Sequence, residues 1–304
     1  MKRIIFISLI ILFHEGETFA MEVKSVSEQL FFVTVRIETE TQTANGNMKK
    51  GIGTGFIVQY SWREGGKGLF IVTNKHVIKD ATKGRFFFIK SDGENPILGE
   101  RYEFEIDNFE KQWFGHINSQ VDVAVMPLGN ILNEIQKRQW KIFFKTINQE
   151  LIPTQKDEST IDAIEEIIFV GYPSGLFDEK NYLPIARKGT TATPYCVNYK
   201  GLPMFLVDAA IFRGSSGSPV FISNIGSYSP KGGGLVIGNR FFFLGIVAEL
   251  YEYEKFTPIE IFNIPSKQIP GVVSQENLNL GAVFKSSTVF ETIEALLKKA
   301  GEIK

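Results

Sequence analysis

Short apolar runs separated by turn residues constrain the fold of this chain more than any other feature. They recur from Leu30 to Leu250 and are rich in Val, Ile and Phe, a composition typical of β-strands. Breakers such as Gly65-Gly66 and Gly232-Gly233-Gly234 stand between them and supply the turns. The pattern predicts an all-β fold of barrels or sandwiches rather than alternating β-α units. The predicted strands that the later argument uses are Phe31–Ile37, Gly55–Tyr60, Leu69–Thr73, Val121–Pro127, Phe205–Phe212 and Phe241–Leu250.

Two segments interrupt this pattern with helical periodicity. Asn130–Gln139 carries apolar residues at helical spacing, and the polar stretch after it is the expected connection between two halves, divided after residue 150. Residues 287–304 predict a C-terminal helix, because Thr288 and Glu291 have the spacing of a capping box and Gly301 can stop the helix. Its single apolar stripe should pack onto a barrel.

The charge balance and the cysteine content exclude several classes of function. The chain has 304 residues with 33 basic and 34 acidic side chains, a formal net charge of −1, so nothing recruits nucleic acid. Cys196 is the only cysteine, which rules out an intrachain disulfide, and we expect no structural zinc site from this thiol and the three histidines. We therefore predict no metal and no organic cofactor.

The first twenty residues have two interpretations, and both stay open. Lys2-Arg3, the apolar run Ile4–Phe13 and the small residue Ala20 are typical of a signal peptide, which would make the protein periplasmic or secreted. The run is too short for a stable membrane span. Alternatively, Glu15-Gly16-Glu17 can be encoded by a purine run that matches a bacterial ribosome-binding site. Residues 1–20 would then be a mis-annotated leader, translation would start at Met21, and the protein would be cytoplasmic.

Three side chains could together form a nucleophilic site. Ser216 lies in Gly214–Pro219, between glycines and after an apolar strand, where an activated serine could sit. His76 stands at the exit of the strand Leu69–Thr73 and could serve as its general base. Asp122 is a carboxylate between apolar neighbours, which is costly unless a group such as a histidine N–H compensates it.

With these residues the chain resembles the trypsin-like serine peptidases of the chymotrypsin fold, and more closely their bacterial HtrA-type branch. The likeness runs from about Phe56 to Leu297, with the blocks in the family's order. They are Gly53-Thr54-Gly55-Phe56-Ile57, Thr73-Asn74-Lys75-His76-Val77, Asp122-Val123-Ala124-Val125, Gly171-Tyr172-Pro173-Ser174-Gly175-Leu176, Asp208-Ala209-Ala210-Ile211 running into Gly214–Pro219, and Leu280-Gly281-Ala282-Val283.

The resemblance implies two packed six-stranded antiparallel β-barrels with the site between them. The first barrel, residues 21–150, would carry His76 and Asp122, and the second, residues 151–286, would carry Ser216. Residues 287–304 would form the C-terminal helix. In the implied serine endopeptidase mechanism, Ser216 attacks a peptide carbonyl, His76 transfers the proton and Asp122 orients the imidazole. The N–H groups of Gly214 and Ser216 would form the oxyanion hole.

Departures from the family pattern indicate how the peptidase activity would be switched on. Ser215 stands where digestive members carry an aspartate that pairs with a newly cleaved N-terminus, so we expect control by an activating partner rather than by clipping. Because only about fifty residues follow Leu250, we expect a stand-alone peptidase domain without the PDZ domain usual in the HtrA branch.

The substrate cleft can be predicted only in outline. Ala210 would lie near the base of the specificity pocket, and Ala248, Glu249 and Leu250 would lie beside the backbone of a protein or peptide substrate. With no charge supplied by Ala210, we expect cleavage after small or medium apolar residues. The alternative is a catalytically latent or inactive trypsin-like module that acts as a binding or sensor domain.

Overall fold

The computed structural model describes residues 21–43, 45–62, 65–258 and 271–303, and their side chains outside 249–277. The predicted leader, residues 1–20, lies outside this part. The helices are α1 Val26–Gln29, α2 Lys75–Ile78, α3 Gly129–Lys137, α4 Gln155–Glu158 and α5 Ser286–Ala300. The strands are β1 Thr34–Gln42, β2 Met48–Ser61, β3 Lys67–Thr73, β4 Ala81–Ser91, β5 Pro96–Asp107, β6 Phe114–Gly115, β7 Ala124–Pro127, β8 Ile142–Phe143, β9 Ile147–Asn148, β10 Glu166–Gly171, β11 Ile185–Thr191, β12 Met204–Asp208, β13 Pro219–Asn224, β14 Ser227–Tyr228, β15 Val236–Ile237, β16 Arg240–Pro258 and β17 Gly271–Lys285.

The first nine strands form one sheet. Its hydrogen-bonded order is β5-β4-β1-β2-β3-β7-β6, and the short strands β8 and β9 pair with β4 and β2. Along β1 the side chains alternate, so that Val35 and Ile37 are buried while Arg36 faces outward. Within the described residues no pairing joins the end strands β5 and β6, so closure of this half into a barrel stays a prediction.

The second half is a closed antiparallel barrel of six strands in the order β10-β11-β12-β17-β16-β13. This confirms the all-β fold and the barrel predicted for the half that carries Ser216. All strands up to Asn148 belong to the first sheet, and the barrel strands begin at Glu166. The division after residue 150 stays a prediction.

One hydrophobic core joins the two halves. The ring of Phe56 on β2 packs edge-on against the ring of Phe243 on β16, with their centroids 5.4 Å apart. Both side chains are fully buried in a cluster that also takes in Phe290 and Ile293 of α5. The helix therefore packs onto the β-structure through its apolar stripe, as predicted.

The structure corrects several predicted element boundaries, and three of them bear on the last helix and the cleft. Helix α5 begins at Ser286, so Thr288 lies inside its first turn, where its Oγ1 donates to the carbonyl oxygen of Lys285 at 2.7 Å. The predicted capping box is therefore wrong. Strand β7 begins only at Ala124 and β12 ends at Asp208, so residues 121–123 and 209–212 lie outside both strands. Backbone pairing continues by one hydrogen bond in each case, from the N–H of His116 to the carbonyl oxygen of Val123 and from the N–H of Ala209 to that of Asn279. No helix in the described ranges is both long and apolar enough to span a membrane.

Candidate active site

The fold brings His76 and Asp122 into direct contact. Nδ1 of His76 lies 2.5 Å from Oδ2 of Asp122, and the backbone N–H of His76 donates to Oδ1 at 3.1 Å. Because a carboxylate can only accept, Nδ1 must carry the proton of the neutral ring. Nε2, on the other side of the imidazole, is then left as a proton acceptor.

Local packing explains the position of this pair. Asn74 is fully buried just before α2, and its Nδ2 donates to the carbonyl oxygen of Asp122 at 2.6 Å. Val121 and Val123 are buried in the core, so the side chain of Asp122 between them turns the other way, toward His76. The sequence Val-Asp-Val thus places a carboxylate at the edge of the core, where it accepts hydrogen bonds from the backbone N–H and from Nδ1–H of His76.

Ser216 comes from the second half and lines the same cleft as the pair. The cleft has a volume of about 530 Å³. Oγ of Ser216 lies 3.4 Å from the carbonyl oxygen of Ala248, which is long for a hydroxyl hydrogen bond. The described part of the chain contains no hydrogen bond between Ser216 and His76, so the structure brings the three predicted residues to one cleft without joining all of them.

A turn over residues 172–175, the proline turn, fixes the peptide groups around Gly214. The N–H of Ser174 donates to the carbonyl oxygen of Arg213 at 2.5 Å. Since the peptide bonds of the described chain are all trans, the N–H of Gly214 points away from the proline turn. Gly214 has φ +86°, and a Cβ there would lie 2.7 Å from the carbonyl oxygen of Tyr172, so only glycine fits.

Thr54 links the proline turn to the segment that carries Gly214 and Ser216, a role that the sequence did not predict. Its buried hydroxyl accepts from the N–H of Tyr172 and donates to the carbonyl oxygen of Gly214, both at 3.1 Å. Its backbone N–H donates to the carbonyl oxygen of Ser216 at 3.0 Å. A Cβ on Gly217 would lie 1.8 Å from the carbonyl oxygen of Thr54. The one available signal was a threonine between Gly53 and Gly55, a sequence that permits close backbone approach.

Apolar side chains form much of the cleft beyond the pair. Ala248 lines it, whereas Ala210 is half-buried and is not among the residues that line it. The side chains of Glu249 and Leu250 lie outside the described part. The roles of these residues in substrate binding stay predictions. The lining residues are His76, Gln120, Asp122, Leu202, Met204, Ile211, Phe212, Arg213, Ser216, Val247, Ala248 and Phe284.

Ser215, beside the nucleophile candidate, is almost fully buried and is held within its own turn. Its backbone N–H donates to the carbonyl oxygen of Phe212 at 3.0 Å, and its own carbonyl oxygen accepts from the N–H of Ser218 at 3.0 Å. This position therefore needs no charged partner to keep its conformation. Across the described ranges, no group of three or more His, Cys, Asp or Glu side chains could hold a metal ion.

Comparison with solved structures finds several to which the chain is similar. The chain is similar to the HtrA-type protease AlgW with tripeptide (15% identity, 90% of this chain and 63% of that chain, TM-score 0.47), so it spans less than two thirds of the AlgW chain. It is also similar to Deg5 (17% identity, 73% and 81%, TM-score 0.40). A third similar structure is the inactivated protease paralogue S-I1 of the scabies mite (13% identity, 88% and 95%, TM-score 0.40). No curated protein matches the sequence.

The decisive comparison is with a family model. The model of the trypsin-like peptidase domain matches residues 53–226, more than half of the chain. His76, Asp122 and Ser216 all lie inside the matched residues, and the family predicted from the sequence motifs is confirmed. The chain therefore belongs to the family of trypsin-like peptidase domains.

Proposed function

We propose that this protein is a serine endopeptidase with Ser216 as nucleophile, His76 as general base and Asp122 as the residue that orients the imidazole. The observation that carries the proposal is the 2.5 Å contact between His76 and Asp122 in the cleft that Ser216 also lines. The contact leaves Nε2 of His76 as the atom able to take a proton. A base oriented in this way beside a serine is the arrangement that acyl transfer requires.

In the proposed reaction, Oγ of Ser216 attacks the carbonyl carbon of the substrate while its proton passes to Nε2 of His76. The tetrahedral intermediate collapses when His76 gives this proton to the leaving amine, and an acyl-enzyme remains on Ser216. Water then attacks the ester with His76 again as the base, which releases the acid and restores the serine. Asp122 stabilises the imidazolium ion that forms in both halves of the reaction.

The side chain of Ser216 must change its hydrogen bond to begin this reaction. Its Oγ lies 3.4 Å from the carbonyl oxygen of Ala248, a contact too long to hold it firmly. Rotation about the Cα–Cβ bond can carry Oγ from there toward His76. Catalytic hydrogen bonds of this kind often shorten only when substrate binds.

The N–H groups of Gly214 and Ser216 would bind the oxyanion. Two contacts support this: the carbonyl oxygen of Arg213 accepts from the N–H of Ser174, and that of Ser215 accepts from the N–H of Ser218. These carbonyls belong to the same planar peptide groups as the N–H groups of Gly214 and Ser216. With these carbonyls fixed, the two amides are fixed as well. In the described part of the chain neither amide has another acceptor, so both are available to a substrate.

The apolar lining of the cleft supports cleavage after small or medium apolar residues. Met204, Val247 and Phe284 contribute aliphatic or aromatic surface, and a charged substrate side chain placed against them would lose its water without gaining a partner. The substrate backbone would lie along residues 248–250 of β16. Digestion of a peptide library tests this, because cuts mainly after Arg or Lys would contradict it.

Labelling with a fluorophosphonate probe tests the nucleophile. Wild-type protein should react, Ser216→Ala should not, and the exposed Ser229→Ala should react as wild type does. His76→Gln should lose labelling, whereas the matched histidine variant His116→Gln should keep it. A wild-type protein that stays unreactive with every candidate substrate and partner would refute the proposal and favour a binding or sensor module.

A further inference from the structure

The chain after the proline turn is packed against the outer face of the first sheet. Residues 176–184, the docking loop, connect the proline turn to β11. Within the loop the N–H of Asp178 donates to the carbonyl oxygen of Leu183 at 2.9 Å. The rings of Phe177 and Tyr182 stack with centroids 6.2 Å apart. The loop is thus a compact unit with two aromatic rings on one side.

Two arginines of the first sheet stack on these rings. The guanidinium of Arg36 on β1 lies 4.4 Å from the ring centre of Phe177, and that of Arg101 on β5 lies 4.1 Å from that of Tyr182. Both guanidinium groups also lie over Phe87 of β4, at 5.4 Å and 4.9 Å. We call Arg36, Phe87, Arg101, Phe177 and Tyr182 the arginine clamp.

The clamp is tight and largely shielded from water. The side chain of Arg36 is only 14% exposed, and its charge is balanced by Glu38 at 2.6 Å. The cavity left between sheet and loop has a volume of about 10 Å³, no more than one water molecule needs. Cations stacked on aromatic rings bind more strongly when they are desolvated in this way.

The docking loop continues directly from the turn that fixes Gly214. Ser174 has φ +49° and Gly175 has φ +75°, a left-handed conformation that a serine keeps only where its surroundings hold it. On one side the turn is held by Thr54, and on the other it runs into the clamped loop. If the loop were released, the N–H of Ser174 could leave the carbonyl oxygen of Arg213.

We infer that Arg36 and Arg101 are positioning residues for the oxyanion hole. By holding the docking loop against the first sheet they keep the proline turn in place, and the turn keeps the N–H of Gly214 aimed into the cleft. Neither arginine lines the cleft, so neither touches the substrate there. The inference rests on the proposed peptidase function and adds to it a control point on the opposite half of the molecule.

The test compares Arg36→Met and Arg101→Met with a matched control, Arg138→Met. Arg138 also stacks on aromatic rings, 5.2 Å from Phe104 and 4.8 Å from Trp140, but belongs to the end of α3. For each variant we would measure kcat and KM with a fluorogenic peptide, inhibition by a peptide aldehyde, and hydrogen exchange over residues 172–184. Methionine matches the unbranched stem of arginine as far as Nε but lacks the planar charged group.

The clamp variants should lower kcat about tenfold with KM nearly unchanged, since an oxyanion donor contributes about 100-fold or more to kcat. The aldehyde, whose tetrahedral adduct needs the same donor, should bind more weakly by the same factor. Exchange should quicken over residues 172–184 only, and Arg101→Lys should recover part of the loss by restoring the charge. Arg138→Met should match wild type in all three measurements.

Two results would overturn the inference while leaving the peptidase function standing. One is faster exchange over residues 172–184 with unchanged kcat and aldehyde binding. The other is an effect of Arg138→Met as large as that of the clamp variants. A wild-type protein that neither cleaves the peptide nor reacts with a fluorophosphonate would instead remove the proposed function, and the positioning role with it.

Discussion

Replacing Thr54 by valine should weaken both the fold and the candidate site. The substitution keeps the shape of the side chain but removes the hydroxyl that joins the N–H of Tyr172 to the carbonyl oxygen of Gly214. Thr54 is fully buried, so water cannot replace the lost partner. Each polar group left unpaired costs about 1–3 kcal/mol, so with two such groups the free energy of unfolding should fall by about 2–6 kcal/mol.

The matched control is Thr54→Ser, which keeps the hydroxyl and loses one methyl group, at a cost of about 0.5–1.5 kcal/mol. Equilibrium urea unfolding measures both variants and should show a lower midpoint with an unchanged slope. The rate of fluorophosphonate labelling should fall in the valine variant and stay near wild type in the serine variant. Equal midpoints and equal labelling rates for the two variants would refute the role assigned to this hydroxyl.

Three further perturbations test other contacts of the structure. Glu165 and Arg240 form a buried ion pair with N–O distances of 2.5 and 3.1 Å, so Glu165→Gln should cost about 3–5 kcal/mol in urea unfolding, whereas replacing both residues by methionine should recover most of it. The side-chain amide of Asn181, with backbone N–H groups, holds the pKa of Asp178 below its ordinary value. The ionised carboxylate of Asp178 therefore stabilises the docking loop above about pH 4, and this stabilisation is lost as the pH falls through the lowered pKa. Hydrogen exchange over residues 176–184 should become faster in that pH range in the wild-type protein. An equally steep pH response in Asp178→Asn would contradict this role of the carboxylate. Gly217→Ala should abolish folding or cost more than about 3 kcal/mol, because φ is +89° and the new Cβ would meet a β2 carbonyl; a melting temperature equal to wild type would contradict this.

The sequence was most informative where the chemistry of a residue conflicts with its neighbours. Asp122 between Val121 and Val123 is such a conflict, and the structure resolves it through the contact with His76. The glycines around Ser216 gave the second signal, because their positive φ angles are needed whatever surrounds them. These are local patterns, and a single chain segment is enough to reveal each of them.

Contacts between distant segments could not be predicted in this way. Nothing near Thr54 in the sequence indicates that Tyr172 and Gly214 will meet its hydroxyl, since these segments come together only in the folded chain. The stacking of Arg36 on Phe177 has the same origin. The beginning of α5 was missed for a different reason: a threonine followed by a glutamate three residues later also fits inside a helix, where tertiary packing decides.

The core shared by the two halves has a consequence for how new specificities could arise. Because Phe56 and Phe243 pack against each other across the boundary, separating the halves would expose both rings to water, and neither half should be expressible alone. The spacing between the two walls of the cleft is then a property of the core and not of a hinge. Substitutions that widen or narrow substrate choice would then have to lie in the loops at the rim of the cleft, because changes in the shared core beneath them would destabilise the fold.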